Sequence, residues 1–217
     1  MLNIVIPVLN EEKILQEHWA YYRVLCEQVP VVFVDGGSDD STLNLIKQLD
    51  AHLIHSRMGR SFQKNAGAAF VHTRYLLFLH IDSFINKSAI AAVKSLIDKN
   101  CPAACFQLKI DDDRLIYRIY EAIVNLRAKS FGVLDGDLGL LISTKLFNEI
   151  GGFDELPVME DVLIGKKIKK MSKVKIVDRP VYVSARKWRQ NGFLRTFFNY
   201  AWAYVRLWSG TLRIGHV

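Results

Sequence analysis

Short runs of apolar and β-branched residues alternate with helical patterns through the first half of this chain. Such alternation is typical of β-α-β units, in which a helix connects two parallel strands of one sheet. We therefore predict an α/β fold with a mostly parallel central sheet flanked by helices. The predicted strands occupy residues 2–8, 31–35, 53–55, 75–81, 104–110, 140–143, 174–177 and 181–183. One helix is predicted to begin near residue 11. The other predicted helices cover residues 38–49, 87–98, 114–129, 144–150, 160–171 and 193–208.

No internal repeat, low-complexity tract or Pro/Gly-rich linker divides the chain. We predict one catalytic domain over residues 1–192, with an aromatic-rich C-terminal helix, residues 193–217, attached to it. Apolar side chains cover more of this helix than the narrow face of an ordinary surface helix. Three interpretations stay open: deep packing on the domain, a homodimer contact, or an interfacial membrane helix with aromatic and basic anchors.

Composition limits the classes of partner. Half of the 217 residues are apolar and 24% are charged, which excludes a disordered chain. The net charge of +7 fits either an ordinary solvated surface or a phosphate-rich partner, which could be a nucleotide, an anionic membrane or a nucleic acid. We predict no nucleic-acid partner, because the basic residues cluster late in the chain without a helix-turn-helix or zinc pattern.

The cysteines and the N-terminus predict a cytoplasmic protein. Three cysteines without C-x-x-C spacing favour buried thiols over disulfides or a zinc site. The first residues lack the features of a targeting segment, and no stretch reaches the ~18 apolar residues of a membrane span. Peripheral contact with the inner membrane face is expected only if the acceptor is a lipid.

Polar residues follow three predicted strands at the points where the strands end. Ligands bind at the carboxyl ends of strands in open α/β sheets, so these residues are candidates for one site. The Gly36-Gly37 pair would let the backbone approach a ligand closely, and Asp35 could accept hydrogen bonds from a base or a ribose. Neither G-x-G-x-x-G nor a G-x-x-x-x-G-K-[ST] phosphate loop is present. The candidates are Asn10 and Glu11 at the end of the first strand, Asp35 and Gly37 at the end of the second, and His80 and Asp82 at the end of the fourth.

Residues 59–68 form a second informative segment. Arg60 and Lys64 could face a diphosphate, while the small residues 66–68 permit tight packing of the helix that the segment opens. The other interpretation is a surface helix with ordinary basic residues.

Five segments occur in an order that resembles the inverting glycosyltransferases often called family two, which have the A-type nucleotide-sugar fold. They are residues 6–11, 34–38, 136–137, 151–153 and 159–161, and the resemblance covers about residues 3–170. Gly36 stands where a second Asp is common in the family. More narrowly, the chain resembles small soluble bacterial members with the same Gly-Gly turn, a His-x-Asp site and the Trp-Arg-x-Asn-Gly segment at residues 188–192.

The resemblance implies a divalent metal, Mn²⁺ or Mg²⁺, that bridges the donor diphosphate. Asp82 matches the second carboxylate of the family's D-x-D motif, while His80 replaces the first Asp. Imidazole suits Mn²⁺ better than Mg²⁺. A histidine at a strand end with no ligand role is the other interpretation of His80.

The resemblance also implies the residues of transfer. Asp161, in the acidic segment after Gly-Gly-Phe, is predicted to be the general base of an inverting displacement. Acids at a helix N-terminus are the alternative explanation of Glu160 and Asp161. Asp137 is expected to contact the acceptor or the donor sugar, and the family implies a uridine nucleotide. The residues predicted to bind the nucleotide sugar are Pro7, Asn10, Glu11, Asp35, Gly37, Arg60, Lys64, Asn65 and Asp137.

Two other functions compete with a transferase that acts on an unknown acceptor. A nucleotidyltransferase would need a basic, Gly-rich loop after the first strand, where this chain has Asn10-Glu11-Glu12. A non-catalytic module that binds a nucleotide sugar or a membrane surface would not need both Asp82 and Asp161.

Overall fold

The computed structural model describes residues 1–193, 195, 202, 204–206 and 209. The predicted helix at residues 193–217 therefore lies mostly outside the described residues. The strands are β1 (Leu2–Val8), β2 (Val31–Asp35), β3 (His52–His55), β4 (Tyr75–Phe78), β5 (Ser83–Phe84), β6 (Ala103–Ile110), β7 (Leu140–Ser143) and β8 (Lys175–Val183). The helices are α1 (Glu12–Glu17), α2 (Trp19–Gln28), α3 (Thr42–Ile46), α4 (Arg60–Phe70), α5 (Lys87–Asp98), α6 (Leu115–Phe131), α7 (Thr144–Glu149), α8 (Glu160–Met171) and α9 (Arg186–Asn191).

The eight described strands form one sheet in the order β3-β2-β1-β4-β7-β6-β8-β5. Strands β3, β2, β1 and β4 are parallel, and β6 and β8 are parallel to each other. Strand β7 is antiparallel to both β4 and β6, and β5 is antiparallel to β8. Four of these seven pairings are parallel, so the predicted α/β fold with a mostly parallel sheet is confirmed.

Several predicted boundaries are wrong. The strand predicted at residues 75–81 ends at Phe78, and His80 and Asp82 lie in the loop that follows. The helix predicted at 38–49 shrinks to α3, because the residues after β2 form a loop tied to side chains of the β1 loop. The two strands predicted around Pro180 are one strand, β8. Pro180 precedes the β5 pairing at Tyr182 and Val183, so its missing N–H interrupts no hydrogen bond to β5.

The sheet separates two apolar layers. Ile4 and Ile6 of β1 face the layer that includes α1, α2 and α5, while Val5 faces the layer that includes α4 and α6. Helix α4 approaches β1 closely at Gly67, where an added Cβ would lie 2.3 Å from Cγ1 of Val5. The tight packing predicted from the small residues of this segment is therefore present.

Gln63 of α4 joins the ends of the first two strands. Its Nε2 donates to the carbonyl oxygens of Val8, at 2.8 Å, and Val34, at 2.7 Å. A Cβ at Gly36 would lie 3.1 Å from the same nitrogen. This contact fixes the sheet edge from which the polar loops emerge.

The cysteines are buried and unpaired, as predicted: Cys26, Cys101 and Cys105. Among the described residues, none of the helices combines the length and the apolar character that crossing a bilayer requires.

Candidate active site

The loops after β1 and β2 are joined by hydrogen bonds. The backbone N–H of Asn10 donates to Oγ of Ser38 at 3.0 Å, and the backbone N–H of Asp39 donates to Oδ1 of Asn10 at 2.9 Å. Asn10 has a φ of 55°, a left-handed conformation that Asn adopts more readily than most residues. Pro7 is buried in β1 beside Val34 of β2. The first two predicted segments therefore lie together.

The carboxylate of Asp35 organises the β2 loop. It accepts hydrogen bonds from the backbone N–H groups of Gly37, at 2.8 Å, and Ser38, at 3.0 Å, and from Oγ of Ser38 at 2.6 Å. Nδ1 of His55 lies 3.3 Å from it. Burial acts to raise the pKa of Asp35, but the hydrogen bonds from Ser38 and Gly37 outweigh it and lower the pKa. Asp35 is thus held ionised in the turn where the predicted base or ribose contact would lie.

Glu11 follows β1 and Arg60 begins α4, and both interact electrostatically with neighbouring charged groups. Oε2 of Glu11 is 3.4 Å from Nη2 of Arg186, a partner that the sequence did not indicate. Burial raises the pKa of Glu11, and the charge of Asp82 acts in the same direction. Arg60 is exposed, and its charge acts to lower the pKa of both Glu11 and Glu160.

His80 lies between two groups of acids. With Asp82 and Asp137 it offers ligand atoms that all lie within 4.8 Å of one another, and the same holds for its grouping with Glu160 and Asp161. Its Nδ1 is 3.3 Å from Oδ1 of Asp137, and its Nε2 is 3.9 Å from Oδ2 of Asp161. Asp137 and the predicted base Asp161 thus face the two nitrogens of one imidazole, and Asp82 is grouped with His80 and Asp137.

Lys64 lies on α4 and points into the protein. Its side chain is 1% exposed, and its Nζ donates to Oε1 of Glu160 at 3.0 Å and to Oδ1 of Asp161 at 2.7 Å. Burial acts to lower the pKa of Lys64, but the charges of Asp161 and Glu160 outweigh it and raise the pKa. Lys64 therefore contacts the predicted base instead of lying on an exposed helix face.

The two acids respond differently to Lys64. Burial acts to raise the pKa of Glu160, but the charge of Lys64 outweighs it and lowers the pKa to about 2. For Asp161, burial and the charge of Glu160 prevail over Lys64, so its pKa is raised. Glu160 is thus the ionised partner of Lys64, while Asp161 is the more basic of the two carboxylates.

Gly136 follows the loop after α6 and packs directly against Asp161 and His80. A Cβ at Gly136 would lie 2.3 Å from Oδ2 of Asp161 and 2.4 Å from Cε1 of His80, so only glycine fits. Lys64, His80, Gly136 and Asp161 line one small cleft.

Asn65 connects α4 to the Gly-Gly-Phe segment. Its Nδ2 donates to the carbonyl oxygen of Phe153 at 2.9 Å, and the N–H of Phe153 donates to its Oδ1 at 3.0 Å. The amide therefore holds the segment that leads to Glu160, and this part of the cleft is built by residues far apart in sequence.

The family model described as "Glycosyl transferase family 2" matches residues 3–149, about two thirds of the chain. The chain belongs to glycosyl transferase family 2. The match includes Asp35, His80, Asp82 and Asp137 and ends before Asp161. The predicted resemblance to this family is confirmed. No curated protein sequence matches the chain.

Solved structures share the fold of this family 2 chain. TarS of S. aureus, residues 1–349, has a TM-score of 0.65 and 20% identity, over 85% of this chain and 60% of that one. The mannosyltransferase PcManGT from Pyrobaculum calidifontis, in complex with GDP-Man and Mn²⁺, has a TM-score of 0.63 and 19% identity, over 83% and 56%. Glucosyl-3-phosphoglycerate synthase from Mycobacterium tuberculosis, in complex with Mg²⁺ and UDP, has a TM-score of 0.60 and 15% identity, over 84% and 70%. The chain thus spans about 60% of the length of the TarS fragment.

The residues of this family 2 chain fit a divalent metal. Two carboxylates and an imidazole, from Asp82, Asp137 and His80, form a donor set suited to Mn²⁺ or Mg²⁺. Nδ1 of His80, 3.3 Å from Oδ1 of Asp137, is the imidazole nitrogen next to this donor set. Nε2 of His80 faces Asp161 instead, and it is buried without a hydrogen-bond partner among the described residues.

Asp135 is a cleft residue that the sequence did not reveal. Its Oδ1 accepts a hydrogen bond from the Tyr204 hydroxyl at 2.8 Å and lies 3.4 Å from Nη2 of Arg127. Its Oδ2 is buried without a partner among the described residues, and burial raises its pKa. The one available signal was its position directly before the Gly136-Asp137 pair.

Proposed function

We propose that this chain transfers a sugar from a nucleotide diphosphate donor, a UDP-sugar, to an acceptor hydroxyl with inversion at the anomeric carbon. The observation that carries the proposal is the placement of His80 between Asp137, beside Nδ1, and Asp161, on the side of Nε2, with Asp82 grouped with His80 and Asp137. A donor diphosphate held on the first side would present its sugar toward Asp161.

In the proposed reaction the acceptor oxygen forms a bond to the anomeric carbon while the bond from that carbon to the diphosphate oxygen breaks. The acceptor proton passes to Oδ2 of Asp161, because Oδ1 already accepts a hydrogen bond from Lys64. The raised pKa of Asp161 favours this proton transfer. Membership of family 2, whose solved relatives include complexes with UDP and with GDP-Man, supports the donor class.

The metal in this proposal is Mn²⁺ or Mg²⁺, held by Asp82, His80 and Asp137. When bound, such an ion neutralises charge on the departing diphosphate. Arg60, exposed beside the cleft, is proposed to face the same phosphates. Asp35, Gly37, Asn10, Glu11 and Pro7 are proposed to form the nucleotide side of the site.

The experiment compares donor turnover by wild-type protein and by Asp161→Asn, with Mn²⁺, Mg²⁺ or EDTA. We expect metal-dependent turnover in the wild type and a loss of about 10²- to 10⁴-fold in the variant, the usual contribution of a general base. UDP with Mn²⁺ should still raise the melting temperature of the variant, because the diphosphate side is unchanged. Full turnover by Asp161→Asn would show that Asp161 is not the general base.

A non-catalytic nucleotide-sugar module is separated by the same measurements. It would show the thermal shift with UDP and Mn²⁺ but no turnover in either protein. Asp82→Asn provides the complementary variant, and we expect it to lose the metal-dependent part of the thermal shift.

A further inference from the structure

Helix α6 presents a stripe of large apolar side chains to solvent. Leu115, Ile119, Ile123 and Leu126 are 74%, 53%, 50% and 61% exposed. Their spacing of four, four and three residues places them on one face of the helix. Fourteen large apolar residues are exposed in the described part of the chain, and six of them lie on α6, so this is not the usual scatter.

The opposite face of α6 is already used by the fold. Tyr117, Val124 and Ala128 are buried in the layer beneath it, and Glu121 lies beside them. A surface helix with its core face buried normally carries polar residues outward. The outward stripe on α6 therefore has no packing role among the described residues.

The described C-terminal residues contact α6 and include further exposed apolar side chains. The Tyr204 hydroxyl contacts both Arg127 of α6 and Asp135. Trp202 and Val205, on either side of Tyr204, are 64% and 56% exposed. An exposed tryptophan is typical of side chains that lie at a membrane interface.

A basic surface begins where α6 ends. Lys129 is exposed in the last turn, and Nζ of Lys169 from α8 donates to the carbonyl oxygen of Phe131 at 2.7 Å. Residues 162–177 contain six lysines and no acidic residue. The acids 111–113 lie at the other end of the helix. Positive charge thus borders the C-terminal end of the apolar stripe.

We propose that the outer face of α6, with Trp202 and the lysines of α8, binds the surface of an anionic lipid bilayer. The α6 helix, about 25 Å long for its 17 residues, lies in the interface with its stripe toward the acyl chains. The lysines contact the anionic headgroups, each adding attraction.

This surface is adjacent to the cleft. The loop that carries Asp135, Gly136 and Asp137 follows α6 directly, and Tyr204 joins that loop to the extended surface. Docking therefore sets the cleft beside the bilayer, where a lipid-borne hydroxyl could enter it. Binding itself does not depend on sugar transfer.

The test is co-sedimentation of the full chain with vesicles of phosphatidylcholine alone or mixed with phosphatidylglycerol. We expect binding to the anionic vesicles at 50 mM salt and weaker binding at 500 mM, since the lysine attraction is screened. Ile123→Glu should lower binding by about tenfold or more, because the side chain no longer partitions into the interface. Val24→Glu on α2 is the matched control, because Val24 is 43% exposed on another face. It should bind as the wild type does.

The lysine contribution is measured separately. Lys169→Gln and Lys170→Gln should each lower binding to anionic vesicles by roughly fivefold, whereas Lys94→Gln on α5 should not. Far-ultraviolet circular dichroism confirms that each variant is folded.

Two results would overturn the proposal. One is no sedimentation of the wild type with anionic vesicles at 50 mM salt. The other is a wild-type dimer that Ile123→Glu dissociates, with no vesicle binding by either protein, which would assign the face to a second copy of the chain.

Discussion

Replacing Lys64 with Met removes the buried cation of the cleft while keeping a side chain of similar length. Nζ of Lys64 bonds to Glu160 and Asp161 at 3.0 and 2.7 Å, and the Lys64 and Glu160 side chains are 1% and 4% exposed. In Lys64→Met the two carboxylates face each other without that charge. Removing one partner of a buried ion pair typically costs about 3–5 kcal/mol. We expect a loss of about that size in the free energy of unfolding at pH 7.

The loss should depend on pH in a defined direction. The pKa of Glu160 is lowered by Lys64, so the ion pair stabilises the fold above the ordinary glutamate pKa and less as pH falls toward 2. The deficit of Lys64→Met should therefore be largest at pH 7 and shrink between about pH 4.5 and the folded pKa of Glu160. Protonating the acids removes the repulsion that the variant creates.

Urea denaturation at pH 7 and at pH 4, followed by circular dichroism, measures both effects. Lys145→Met is the matched control, because its Nζ lies 3.9 Å from Glu149 in a pair that is 87% and 43% exposed. Such surface pairs contribute about 0–1 kcal/mol. The double variant Lys64→Met/Glu160→Gln should recover part of the loss. A deficit below about 1 kcal/mol at pH 7, or one independent of pH, would refute the reasoning.

Two further predictions concern the cleft and the thiols. Gly136→Ala should lower donor turnover by about 10²-fold, because the added Cβ would push the Asp161 and His80 side chains away from position 136 by about an ångström or more. A turnover assay checks this prediction, and an unchanged rate would contradict it. Burial raises the pKa of the Cys26 and Cys105 thiols to about 12, and it also raises the pKa of the Cys101 thiol. A colorimetric thiol reagent at pH 8 should therefore label no cysteine in the native protein and three in urea, and rapid native labelling would show that a thiol is accessible.

The sequence was most informative for the parallel half of the sheet. Strands β1, β2 and β4 are continuous apolar runs, and the polar residues after them can only lie at one edge if the strands are parallel. This is why the placement of Asp35 and His80 at one edge was predictable. The roles predicted for these residues stay predictions until turnover and binding are measured.

Long-range pairings were the part that could not be predicted. A strand was expected at β7, but its antiparallel insertion between β4 and β6 depends on contacts across 62–68 residues to β4 and 37–39 residues to β6. That direction places Asp137, which precedes β7, beside His80, which follows β4. Local sequence patterns carry no information about the contact between Asp137 and His80.

Lys64 shows the same limit at the level of one side chain. A lysine in a helical pattern is ordinarily exposed, and burial is tolerated only with a counter-charge. Its partners, Glu160 and Asp161, lie 96 and 97 residues away. The sequence could therefore indicate a helix at residues 60–70 but not which of its polar residues point inward.

The bond from Gln63 to the ends of β1 and β2 makes residues 36 and 63 mutually dependent. An Asp at position 36 would place its Cβ 3.1 Å from Nε2 of Gln63, so the amide would have to shift by a few tenths of an ångström and its hydrogen bonds to the carbonyl oxygens of Val8 and Val34 would weaken. The residues at positions 36 and 63 therefore form one structural unit, and a substitution at the first should be made together with one at the second.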